Sequence, residues 1–217
     1  MVGGEVMKVF KKVKKMLKRN SNVRKRILGI EEFNKLFQFL PLHSKWILAM
    51  GFYTGMRRGE ILSLTWDKVL LTARVIRLEA GDTKDREARE IPICDELYTV
   101  LKVIPRNLRD NHVFLYEGRP IKNIQTSLET ASKKAGIVYG KLKKDGFIFH
   151  DLRHTFNTYM RKAGVSESVI MEITGHSTRE MFDRYNTIDG DDKKQAISRF
   201  EGFLGTLTES VNKALTK

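Results

Sequence analysis

The chain of 217 residues holds a single cysteine, Cys94, and four prolines. One thiol can build neither a disulfide framework nor a thiolate metal site, so the fold must rest on its hydrophobic core. Long apolar runs are missing too. Nothing approaches the roughly 18 residues of a transmembrane helix, and no apolar signal core opens the N-terminus, which reads as a soluble, cytoplasmic chain with no membrane partner. Acidic residues are scarce relative to basic ones: 26 Asp and Glu face 40 Lys and Arg, for a formal charge of +14 and a pI near 9.8. A surplus of that size is the electrostatic footprint of a protein that binds a polyanion. What is plentiful is hydrophobic side chain, 41% of the sequence, enough for one sizeable core.

In chain order, residues 1–25 form a basic arm or interdomain linker, carrying Lys8, Lys11, Lys12, Lys14, Lys15 and Lys18 among its cations and Glu5 as its one acid. Val6, Val9, Phe10, Val13, Met16 and Leu17 recur at helical spacing within it. A solvated tail and a contact to the backbone of a polyanion both remain open for this segment. Residues 26–188 read as the main domain. Ile30, Phe33, Leu36, Phe37 and Leu40 share a helical face behind an acidic first turn, and Pro41 ends that helix. Trp46 to Tyr53 is nearly all apolar, the pattern of a buried helix. Between Val75 and Ile93 the pattern alternates on either side of a turn at Gly81-Asp82, and Pro92, which has no N–H to donate, marks an edge strand. Asp95 opens a further helix, Val113 to Leu115 is a short apolar segment, and Ile121 to Ala135 is an amphipathic helix closing at Gly136. Residues 189–217 form a tail, in which a charged break at Asp189-Gly190-Asp191-Asp192 precedes an apolar stripe of Phe200, Phe203, Leu204, Leu207, Val211 and Leu215. The fold class expected is mainly α (α+β), a helical domain with one small antiparallel sheet.

The chemistry concentrates between Gly146 and Ile188. His150 and Arg153 stand three apart, so a helix beginning there projects both from one face, a titratable ring beside a forked cation. Gly175 is a C-cap candidate, His176 follows it, and Tyr185 comes nine residues later. These four groups can bind, protonate or attack a phosphodiester. His150 and His154, four apart, could also be read as a metal pair, but the helix lacks the Glu of the His-Glu-x-x-His pattern, and no metal or other cofactor is expected. Val165 to Arg184 further scans as helix, glycine turn, helix, which would suit a non-catalytic helix-turn-helix binder of DNA.

His-x-x-Arg at 150–153, Thr-Gly-His-Ser at 174–177 and Arg-Tyr at 184–185, preceded by Thr-Gly-Met-Arg at 54–57, together resemble the signature of the tyrosine recombinase, or phage integrase, family. The resemblance covers about residues 26 to 188 and implies a catalytic domain that cuts and rejoins double-stranded DNA through a transient 3′-phosphotyrosyl link, without ATP or metal. It implies that Arg57 and Arg153 fork N–H donors onto the nonbridging phosphate oxygens, that Tyr185 is the nucleophile and that His150 assists its proton. His176 would donate a hydrogen bond to the phosphate, and Lys84 would protonate the departing sugar oxygen. Glu60 would orient Arg57. A hairpin-tip lysine alone is an ordinary solvated charge, and Arg86 and Arg89 are rivals for its place. The resemblance also implies a tetramer on DNA with accessory DNA-bending proteins as possible partners, a monomer when free, and a missing upstream domain that the basic arm would join. A type IB topoisomerase, which reseals the same strand, is the alternative within this chemistry.

Overall fold

A computed structural model of the protein describes residues 26–176, 182, 190, 193, 194 and 196–202. The basic arm, Tyr185 and the stripe residues Phe203, Leu204, Leu207, Val211 and Leu215 lie outside the described residues.

The architecture is mainly helical with small antiparallel sheets. Helix α1 (Ile30–Phe39) buries Phe33 and Leu36, and Leu40 follows it into the core before Pro41 starts the next helix. That helix, α2 (Leu42–Thr54), is the centre of the domain: Ile47, Leu48, Ala49 and Met50 are successive and all buried, so it has no wet face along this stretch. Gly51 lets α2 lie close to α6 (Asp151–Lys162), because a Cβ there would stand 2.7 Å from Leu152 Cδ1 and 2.9 Å from Phe149 Cζ. A short α3 (Arg58–Leu62) follows α2 through Gly55.

The three-stranded sheet runs in the order β1 (Val69–Leu70), β2 (Val75–Leu78), β3 (Arg89–Pro92), all antiparallel. Its period of two sends Ile76, Leu78 and Ile91 into the core while Arg77 and Glu90 pair on the outside at 2.9 Å. Pro92 sits on β3, an edge strand as its chemistry requires. Helices α4 (Asp95–Lys102) and α5 (Gln125–Lys134) pack on α2 and α1 respectively, and α7 (Glu167–Thr174) packs on β3 and α6.

The small antiparallel sheet has a companion: β4 (Leu115–Tyr116) and β5 (Arg119–Pro120) form a two-stranded ribbon around Glu117 and Gly118, both with positive φ, the conformation that matches a tight hairpin to strand twist. Helix α5 starts at Gln125 rather than Ile121, since Asn123 turns the chain by accepting the Gln125 N–H at 3.0 Å. Among the described residues no helix is long and apolar enough to cross a membrane.

Candidate active site

The site is assembled where α2, α6 and α7 end or begin. Thr54, the last residue of α2, donates its hydroxyl to the Met50 carbonyl and accepts the Met56 N–H at 3.2 Å, and Gly55 takes the left-handed conformation (φ +63) that ends the helix. A side chain at Gly55 would also collide with Phe156, whose Cδ1 lies 2.7 Å from the Cβ position. This turn delivers Arg57 as the N-cap of α3. Glu60, three residues on, accepts the Arg57 backbone N–H at 2.9 Å and the Arg57 Nη1 at 3.1 Å, so it fixes both the cap and the guanidinium. The Arg57 Nη2 donates to the Gly175 carbonyl at 3.1 Å and to Asp85.

Arg153 rises from the first turn of α6 and is 2% exposed, an expensive place for a cation. What makes it tolerable is backbone. Its Nη1 donates to the Gly55 carbonyl at 2.9 Å and its Nη2 to the Gly175 carbonyl at 3.4 Å. Both glycines are left-handed C-caps, of α2 and α7, so the negative ends of two helix dipoles are turned on one guanidinium. Arg57 and Arg153 thereby converge on a single oxygen, that of Gly175.

His176 is buried next to them, and its tautomer follows from its neighbour. Thr174 gives its one hydroxyl proton to the Ile170 carbonyl at 2.6 Å, so at 2.8 Å from His176 Nδ1 it accepts, and the ring proton is on Nδ1. The Nε2 lone pair accepts from Arg153 Nε at 3.3 Å. Burial, with Arg153, Arg57, His150 and Arg89 adding positive charge, pushes the ring down to about 3, so it stays neutral. One ring nitrogen thus donates to Thr174 and the other accepts from Arg153. His150, the N-cap of α6, is exposed at the rim and near enough to contribute to that depression. The buried Asp151 accepts the Ile148 N–H at 2.8 Å and fixes where α6 begins. His150 and His154 share no open face, since the second is buried.

Lys84 lies in the connection between β2 and β3 and is exposed, as is Arg86, while its neighbour Asp85 reaches Arg57. Tyr159, the one phenol on α6, has its hydroxyl on the Leu28 carbonyl at 3.3 Å and its ring edge-on to Phe52; burial raises its pKa, the wrong direction for a nucleophile.

Arg89, named beside Arg86 as a rival of Lys84, is a buried cation, donating to Glu60 at 2.6 Å and to the Ile173 carbonyl at 3.1 Å. The signal was there: alternation puts Arg89 on the same face of β3 as Ile91, and a charged residue on the core side of a strand needs a partner.

The model of the phage integrase family matches residues 20–191 of this chain. The integrase of Salmonella phage P22 is 25% identical over 212 residues, covering 90% of this chain and 52% of its own. Among solved structures, the catalytic domain of bacteriophage HP1 integrase superposes with a TM-score of 0.56 at 29% identity, over 75% of this chain and 87% of that one. A lambda integrase dimer bound to a core site shares the fold, with a TM-score of 0.63 at 20% identity, over 82% of this chain and 55% of that one. The chain spans about half the length of the curated relatives it matches first.

Proposed function

The chain belongs to the phage integrase family, and from that premise we propose that it is the catalytic part of a site-specific DNA recombinase, a tyrosine-type strand transferase acting on double-stranded DNA. The observation that carries this reading is the convergence of Arg57 and Arg153 on one oxygen, since two forked cations that reach a common acceptor can also share a phosphodiester. In the proposed step the Tyr185 oxygen attacks phosphorus, a 3′-phosphotyrosyl ester forms, and the bond to the 5′-oxygen breaks. His150 takes the phenolic proton, and Lys84 supplies a proton to the departing oxygen after its exposed side chain turns inward. Charge gathers on the nonbridging oxygens in the transition state, where Arg57 and Arg153 receive it. The 5′-hydroxyl of another strand then attacks the ester phosphorus, giving its proton back to Lys84, while the bond to the Tyr185 oxygen breaks and His150 returns the phenolic proton; the energy kept in the ester makes ATP unnecessary. His176, held neutral, orients the Arg153 fork through Nε2.

On this reading residues 26–188 are the catalytic domain, residues 1–25 a linker to a DNA-binding domain, and residues 189–217 a tail that docks on its own chain in the free monomer. The contact of Arg199 with the Lys162 carbonyl, at 2.7 Å across the end of α6, supports docking within the chain. The surplus of 40 Lys and Arg over 26 Asp and Glu supports DNA as the partner; on DNA the reading takes the assembly to be a tetramer, with accessory DNA-bending proteins and a cytoplasmic setting. The test is a nicked duplex from which the released strand end diffuses away: the chain should remain joined to the DNA in denaturant. A protein that binds the duplex and forms no such adduct is a binder, and the reading falls.

A further inference from the structure

Arg57 has one more acidic partner than its positioning requires. Glu60, 3% exposed at its side chain, already binds the guanidinium at Nη1 and the backbone N–H of the same residue. Asp85 arrives from elsewhere, on the connection between β2 and β3, and pairs with the outer nitrogen, Nη2, the one that also meets the Gly175 carbonyl shared with Arg153. Both Arg57 and Asp85 keep nearly a fifth of their side-chain surface in solvent, 18% and 19%, so this pair faces the opening whereas the Glu60 pairs do not. The rest of the connection is tied down separately: Asp82 pairs with Lys68, and Thr83 both donates to the Glu87 carbonyl and accepts its N–H at 3.0 Å.

We propose that Asp85 is an internal stand-in for the phosphate, an anion held on Arg57 at the position a nonbridging oxygen must take, which has to leave before DNA can react. This deepens the strand-transfer reading and rests on it. A carboxylate is an acceptor-only anion with two oxygens, the nearest a protein side chain comes to one edge of a phosphate. The charge count agrees. Glu60 and Asp85 offset two of the three charges on Arg57, Arg89 and Arg153, leaving one; with Asp85 gone the surplus becomes two, a stronger pull on the charge that gathers in a phosphoryl transition state. Expulsion of Asp85 also moves its neighbour Lys84, exposed in the free protein, so loading of the phosphate site and repositioning of the lysine become a single event.

The test compares Asp85→Asn with Asp82→Asn, which removes the same charge from the same connection. Duplex binding, measured at matched ionic strength, should tighten about fivefold for Asp85→Asn and by less than about twofold for Asp82→Asn. The gain should vanish in an Arg57→Ala background, the two changes being coupled. Because Arg57→Ala leaves Glu60 short of a partner and could fail to fold, thermal denaturation in sodium sulfate, with chloride balancing ionic strength, gives a second reading. Asp85→Asn should reach a given sulfate-induced rise in melting temperature at about fivefold lower sulfate concentration than the unmodified chain. Equal behaviour of the two Asn variants in both measurements, or a gain that survives without Arg57, overturns the stand-in. Neither result bears on the adduct assay, and an absent adduct would sink the recombinase reading while leaving the sulfate comparison interpretable.

Discussion

Arg57 and Arg89 grip opposite oxygens of one buried carboxylate, Arg57 on Glu60 Oε1 at 3.1 Å and Arg89 on Oε2 at 2.6 Å. The acid that positions the first arginine is thus itself positioned by a second, 29 residues further along the chain.

Removing that second arginine should be costly in both stability and chemistry. With the side chains of the pair 4% and 3% exposed, Arg89→Ala leaves Glu60 buried with half its compensation and should lower unfolding free energy by about 3 kcal/mol in urea. Arg89→Lys keeps the charge but cannot serve Glu60 and the Ile173 carbonyl from one fork, and should recover only part of the loss. Adduct formation should slow in the Lys variant while duplex affinity holds. A change within about 0.5 kcal/mol for Arg89→Ala would place Arg89 among ordinary surface residues.

His176 gives a pH signature. Its folded pKa, about 3, lies below the 6.5 of the exposed ring, so between these values the unfolded chain binds more protons than the folded one and stability falls as pH falls. From pH 7 to pH 5 this one group should remove about 2 kcal/mol. The His176→Gln variant should lose that much less over the same interval than the unmodified protein, as read from urea midpoints. Parallel curves for the two proteins would mean that the ring titrates normally.

Two glycines near the site should respond in opposite directions to alanine. Gly55→Ala forces a left-handed φ of +63 on a side chain that also strikes Phe156, and should destabilise by roughly 2–4 kcal/mol. Gly59 lies inside α3 with nothing within 4 Å of its Cβ position, so Gly59→Ala should be neutral or stabilise by up to about 1 kcal/mol. Melting temperatures suffice to check the pair, and a stabilising Gly55→Ala would refute the turn geometry.

Tyr185→Phe removes one oxygen and no charge. The variant should bind duplex DNA as the unmodified chain does and form no denaturant-stable adduct. Survival of the adduct would move the nucleophile elsewhere, and Tyr159 is poorly placed to inherit it with its hydroxyl on Leu28.

Salt dependence separates the two readings of the basic arm. Each phosphate contact contributes about 0.9 to the slope of log affinity against log salt, so deletion of residues 1–25 should flatten that slope by several units if the arm lies on DNA. An unchanged slope assigns the arm to solvent.

What could be read from the sequence was local. Arg57 and Glu60 are three residues apart, and the spacing alone puts them on one helical face. The Thr174 that fixes the tautomer of His176 is only two residues from it, visible in Thr-Gly-His once hydroxyl protons are counted. Arg89 needed a strand register as well, and the ribbon around Glu117 and Gly118 needed more than its two-residue strands could show as periodicity. The acceptors of Arg153 were beyond any motif, because a carbonyl belongs to every residue and only the fold decides which ones turn inward.

The two carbonyls at Gly55 and Gly175 make the spacing of the arginines a matter of helix length rather than of side-chain identity. Residues along α2 and α7 can drift, so long as they pack, without moving either oxygen. A single inserted residue is different: it would swing the terminal carbonyl by about 100° around the helix axis and carry it off the guanidinium. This chain is therefore held to a strict count of residues between each glycine and the start of its helix. Tolerance to substitution and intolerance to insertion in α2 and α7 should appear side by side in any deep mutational scan of this chain.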